Sequence, residues 1–154
     1  MTRADARRAL RSAARFYAVQ ALFQMESSGQ SVDAVRQEFE THRIGAEAEG
    51  EAWVEADLPL FRKLVEMAVD RQAAIDQLTD RALVAKWPIA RIDPTLRALF
   101  RAAGAELVDG DTPPRVVITE FVQIAQAFFP EGREPKFVNA VLDHMAREQR
   151  PEAF

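Results

Sequence analysis

The chain has 154 residues, 48% of them hydrophobic and 29% charged, with a formal net charge of -4 and no cysteine. That length supports one domain with a substantial core, and the lack of cysteine excludes disulfides and thiolate chemistry. No apolar run approaches the roughly 20 residues of a membrane span, and the arginine-bearing N-terminus has no continuous apolar segment of signal-peptide type, so a cytosolic protein is expected.

In chain order, the spacing predicts a first helix from about Asp5 to Met25. Arg3, Arg7, Arg11 and Arg15 are each four apart and Arg8 shares their flank, which places all five within a sector of roughly 140°. Beyond Arg15 the helix is apolar all round, with Phe16, Tyr17, Val19, Leu22, Phe23 and Met25. Its first half should therefore project with the basic side outward, and its second half should be buried. Ser31 can cap a second helix to about Thr41 that turns Val32, Val35 and Phe39 inward.

Gly45–Glu51 is an acidic stretch best left as a loop. A third helix is expected from about Leu58 to Leu78, on Phe61, Leu64, Val65, Ala68, Ile75 and Leu78. A short helical piece, Arg81–Lys86, leads to Trp87-Pro88, where the chain must turn or kink; Trp87 reads as a plug between helices. Asp93-Pro94 starts a helix with Leu96, Leu99, Phe100, Ala103 and Leu107 on one stripe, closed by Asp109-Gly110.

Thr112-Pro113 is another cap and proline start. It opens Pro113–Phe129, whose broad apolar face (Val117, Ile118, Phe121, Val122, Ile124, Ala125, Phe128) marks it as the central helix. Pro130 and Gly132 end it. Lys136–Arg147, with Val138, Val141, Leu142 and Met145, should pack antiparallel to it across the short loop. No window alternates with period two, so the fold class is all-α, six to seven helices in one domain, residues 1–80 its N-terminal helices and 81–154 its C-terminal ones.

Charge is unevenly spread. Residues 1–25 hold five arginines against Asp5, whereas residues 26–57 hold nine acidic groups against Arg36 and Arg43. One end can meet a polyanion that the acidic segment repels. Guanidinium groups bind RNA phosphates and stack on unpaired bases, so the ladder reads as an RNA face or as a solvated helix face. Lys136-Phe137 is a second candidate: Phe137 lies about 80° off the centre of its apolar stripe. There it either stacks a base or belongs to the core. Nothing points to catalysis. His42 and His144 have no metal-ligand spacing, and no phosphate loop or nucleophile elbow is present. Glu120, at the border of an apolar face, is the kind of carboxylate that pairs with a neighbouring arginine.

Four pieces in order resemble the NusB family of bacterial transcription antitermination factors: Arg11–Gln24 (RSAARFYAVQALFQ), Trp87–Glu106, Val116–Ala125 (VVITEFVQIA) and Lys136–Asp143 (KFVNAVLD). The resemblance implies two small helical bundles and binding to the boxA element of nascent ribosomal RNA. It also implies a ribosomal-protein partner, NusE, and entry into an RNA polymerase antitermination complex, with no cofactor. Carried over position by position, it points to Arg11, Arg15, Gln20, Lys136, Phe137 and Asn139; the ladder adds Arg7 and Arg8. Phe23 stands where the family often has tyrosine. Thr119, Gln123 and Gln126 replace asparagine, glutamate and lysine, and Ala140 replaces glycine. The expected protein is an RNA-binding adaptor, and the alternative is a helical protein-interaction module without RNA. An enzyme fragment is a third reading, because similar domains precede some RNA methyltransferases, but the chain has no room for a cofactor domain. A homodimer stays open, since exposed apolar patches on bundles self-associate.

Overall fold

The computed structural model describes residues 2–48, 51–83 and 92–154; the Trp87-Pro88 kink and the Trp87 plug lie outside the described residues. Seven helices are present among them: α1 (Arg3–Ser28), α2 (Val32–His42), α3 (Leu58–Asp70), α4 (Gln72–Ala82), α5 (Pro94–Asp109), α6 (Pro114–Phe128) and α7 (Glu134–Gln149). A 3-10 turn, Pro151–Ala153, follows α7. The acidic stretch expected to be a loop includes two short antiparallel strands, β1 (Glu47–Ala48) and β2 (Glu51–Ala52), with Glu47 opposite Ala52.

Local chemistry sets most helix ends. Thr2 and Asp5 form a reciprocal capping box, which starts α1 two residues earlier than expected. Ser31, Asp57 and Asp93 cap α2, α3 and α5 with their side chains. Gly29 and Gly110 close α1 and α5 in the left-handed region, at φ 74° and 82°, where a Cβ would be strained. The start of α6 differs from expectation. Pro113, not Thr112, holds the cap position without a side-chain hydrogen bond, and Thr112 is buried.

Two expectations are corrected. The single helix Leu58–Leu78 is two helices, broken at Arg71, whose backbone leaves helical geometry at φ -114°, ψ 21°. The break lets α3 lie on α1 while α4 turns to pack against α5 and α7. The central helix is α5, not α6: α5 packs against α1, α3, α4, α6 and α7, and every residue from Ala102 to Leu107 is buried. Small side chains make this possible, because Ala98, Ala102, Ala103, Gly104 and Ala105 let neighbours close in from several sides. The broad face of α6 is covered by α7 and α5, with α1 at its edge.

On the other side of α1, Tyr17, Phe39 and Phe61 form an aromatic column. Tyr17 meets Phe39 edge-on at 6.4 Å, and Phe39 stacks on Phe61 at 5.8 Å. The Tyr17 hydroxyl donates to the Val54 carbonyl at 2.7 Å, tying down the segment after the strands. The end of α1 is anchored to α5 by Glu26, which accepts from Arg97 Nε at 2.9 Å and pairs with Arg101 at 3.3 Å.

The Arg97 hydrogen bond holds the Glu26 carboxyl below its ordinary value. A depressed carboxylate contributes stability above its unfolded pKa and loses it as pH falls. Glu26→Gln should therefore lower the midpoint of urea unfolding at pH 7, and the gap to the parent chain should close below about pH 4.5. A Cβ added at Gly104 would stand 2.5 Å from Ile75 Cγ2, on the neighbouring helix, and 3.5 Å from Met145 Cε. Gly104→Ala should cost about 1–3 kcal/mol in overpacking, more than the ~1 kcal/mol that alanine gains in a helix. Urea unfolding measures the net loss.

Candidate nucleic-acid interface

The arginines of α1 fall into three environments. Arg3, Arg7 and Arg8 stand on the exposed first turns. Arg3 and Arg7 have no ion pair among the described residues, while Arg8 pairs with Asp5. Hydrogen bonds from Thr2, and then Arg8, hold the Asp5 carboxyl below its ordinary value. Arg11 is half-buried, 3.5 Å from an Asp57 carboxylate oxygen and 3.5 Å from the Thr112 hydroxyl.

Arg15 corrects the expectation of an exposed ladder, since its side chain is only 2% accessible. Its Nε and one terminal nitrogen donate to the two carboxylate oxygens of Glu106, both at 2.8 Å, and its other terminal nitrogen donates to Glu120 at 2.8 Å. The Ser12 hydroxyl also donates to Glu120, at 2.8 Å. Burial alone would lower the Arg15 pKa, but the hydrogen bond and charge of Glu106 raise it above the ordinary value. Angle round the axis does not separate Arg15 from Arg8, which lies within about 20° of it and is exposed. Position along α1 does: the first turns extend past the body, and Arg15 lies where α5 and α6 pack on the helix.

The remaining candidates lie at the other end of α6. Helices α1 and α6 run in the same sense. Ser12 and Arg15 meet Glu120, and further along Phe16 stacks on Phe128 at 5.2 Å with the rings 6° from parallel. Just past that stack, Gln20 lines a groove of about 350 Å³ with Phe23, Gln24, Arg43, Thr95 and Phe128. Among the described residues the Gln20 side-chain oxygen is buried without a hydrogen-bond partner. The loop after Phe128 leads to α7, where Lys136 and Asn139 are exposed. Phe137 is half-buried and packs edge-on against Phe100 at 6.1 Å.

The Lys136–Asn139 turn thus belongs with Gln20, at the Phe128 end, and Arg3–Arg8 belong to the Pro114 end. One continuous strip joining them is not what forms: the twelve residues from Arg8 to Gln20 rise about 18 Å along α1. Sequence reasoning missed Glu106 as the partner of Arg15, and no local pattern marks it. It also missed Arg115 on α6, which shares a cleft with Arg8.

Among the described residues there is no cluster of three or more potential metal ligands, and no helix is long and apolar enough to cross a membrane. Taken with the exposed basic end, the architecture defines a helical module with a surface suited to polyanions. A family model described as NusB family matches residues 12–147. The chain is 50% identical to the transcription antitermination protein NusB of Maricaulis maris, across 94% of this chain and 91% of that protein. It is 47% identical to that of Agrobacterium fabrum, across 93% and 87%. A solved structure of T. maritima NusB superposes with a TM-score of 0.73 at 28% identity, over 93% of this chain and 95% of the other. A crystal structure of the antitermination factors NusB and NusE in complex with dsRNA has a TM-score of 0.69 at 24% identity, over 89% and 96%, and shows the same fold. The chain belongs to the NusB family.

Arg15→Met should cost about 3–5 kcal/mol, because it leaves Glu106 buried without its partner. Combining it with Glu106→Leu should recover most of the loss. Urea unfolding of the single and double variants checks both, and a near-neutral single variant would show that the contact is dispensable.

Proposed function

We propose that this chain is a transcription antitermination factor that holds the boxA element of nascent ribosomal RNA together with NusE and joins the RNA polymerase antitermination complex. It does so in the cytoplasm and without chemistry of its own. Family membership over nearly the whole chain supports the reading. The observation that carries the RNA part is the exposed cluster of Arg3, Arg7 and Arg8 in a chain of net charge -4. Such cations meet phosphates, which position a strand but do not read it. Base selection falls to groups with stacking or edge contacts, namely Phe137, Asn139 and Gln20 with Lys136 beside them. Arg11 can reach a phosphate only from its present contacts with Asp57 and Thr112, and Arg15 is assigned to the core instead.

With a net acidic body, the chain alone should bind RNA modestly, and a basic partner that extends the surface should raise affinity through linkage. The test is a shift assay with a boxA-like and a scrambled RNA at several salt concentrations, with and without NusE. Arg7→Ala combined with Arg8→Ala should weaken binding to both RNAs. It should also lower the salt slope by about 1.4, since each single-strand phosphate that is no longer neutralised removes ~0.7. Retained NusE capture with no RNA shift at any salt would favour the protein-interaction module.

A further inference from the structure

A second basic surface lies beyond the predicted residues. Arg8, Ser12, Arg115, Thr119, Glu120 and Gln123 line a cleft of about 410 Å³ between α1 and α6. The only charged residues in Pro114–Phe128 are Arg115 and Glu120. Glu120 is occupied by Ser12 and Arg15, so the cleft floor is a hydrogen-bonded carboxylate that shares its cation with Glu106, and the walls carry two guanidinium groups. Arg115 is exposed and has no ion pair among the described residues. Its guanidinium lies 4.9 Å from the centre of the Phe154 ring, and that of Arg147, from α7, lies 4.4 Å from the same centre.

One aromatic ring therefore gathers two cations from the two helices of the hairpin, next to the cleft that Arg8 shares. The positive end of the α6 dipole adds to the field there. Arg8 and Arg147 also pair with Asp5 and Asp143, but these pairs are solvent-exposed, and exposed pairs are weak enough to yield to a phosphate. A folded acidic protein would need an apolar centre to its interface. Here three guanidinium groups, two hydroxyls and an amide surround one exposed apolar side chain, Val116, which is too little for such a centre.

We propose that Arg115 and Arg147, gathered by Phe154, form a phosphate-binding platform for single-stranded RNA that flanks the recognised element, reached from Arg8 across the α1–α6 cleft. The inference rests on the RNA-binding reading above and extends it to residues 115, 147 and 154. Phosphate contacts carry no sequence information, so the platform should hold the flank whatever its bases.

The test compares a minimal boxA-like RNA with versions extended by about six nucleotides at either end, a length within the site sizes of single-strand binders. Arg115→Ala combined with Arg147→Ala should leave the minimal RNA unaffected. For one of the two extended RNAs it should weaken binding and lower the salt slope by about 1.4, equally for a scrambled flank. Arg115→Lys with Arg147→Lys should keep the slope, and circular dichroism should show both variants folded. An unchanged affinity and slope for both extended RNAs would overturn the platform while leaving the N-terminal arginines in place. Loss of a protein partner instead of RNA would reassign the surface to protein. If the parent chain shifts no RNA at all, the underlying reading fails with it.

Discussion

The structure depends on one buried guanidinium. Arg15 spans α1, α5 and α6 through Glu106 and Glu120, so a single side chain ties three helices together. Two carboxylates on one cation leave a surplus negative charge. Two features make that tolerable: Ser12 donates to Glu120, and Glu120 keeps 17% of its side chain accessible to solvent. Such a cluster adds little net stability over an apolar core of the same shape. What it supplies is register, because a planar fork bonded at 2.8 Å on three nitrogens permits one rotation and one height for α1 against its neighbours.

That register divides α1. Downstream of Arg15, Tyr17, Ala18, Val19, Ala21 and Leu22 are buried, and the Phe16–Phe128 stack fixes the helix to the far end of α6. Upstream, residues 2–10 are exposed, so the first turns extend past the body with their arginines in water. The same contact that takes Arg15 out of reach of solvent thus holds Arg7 and Arg8 in it. An exposed helix end fixed by a buried clamp presents charge with less ordering cost than a free tail.

Helix positions and caps were legible because they rest on local chemistry. Ser31, Asp93-Pro94 and Gly110 each act within a few residues of themselves. What the sequence did not disclose is long-range. Arg71 carries no proline or glycine, and the apolar stripe stays in phase from Ala68 to Ile75. The break goes with the packing of α4 against α5 and α7. The centrality of α5 was hidden because alanines and a glycine score as weakly apolar, although small size is what admits five neighbours. The arginine ladder was visible, but not how far along α1 the packed body begins. The partner that decides the fate of Arg15, Glu106, lies 91 residues away.

The separation of the two candidate ends bears on how a strand could be bound. Arg7 and Arg8 stand at the Pro114 end of the α6–α7 hairpin. Gln20, Lys136, Phe137 and Asn139 stand at the Phe128 end. A flexible single strand bridges about 18 Å only by spending several nucleotides, and between the ends, along α1, it would pass Arg15, which is buried, and Arg11, which is held by Asp57 and Thr112. Each end alone therefore offers few contacts. On the proposed reading, affinity would depend on both ends acting on one molecule, where the second contact gains from the effective concentration set by the first. On this geometry a partner that covers the middle of the path does more than add its own contacts: it removes the cost of leaving the intervening nucleotides disordered.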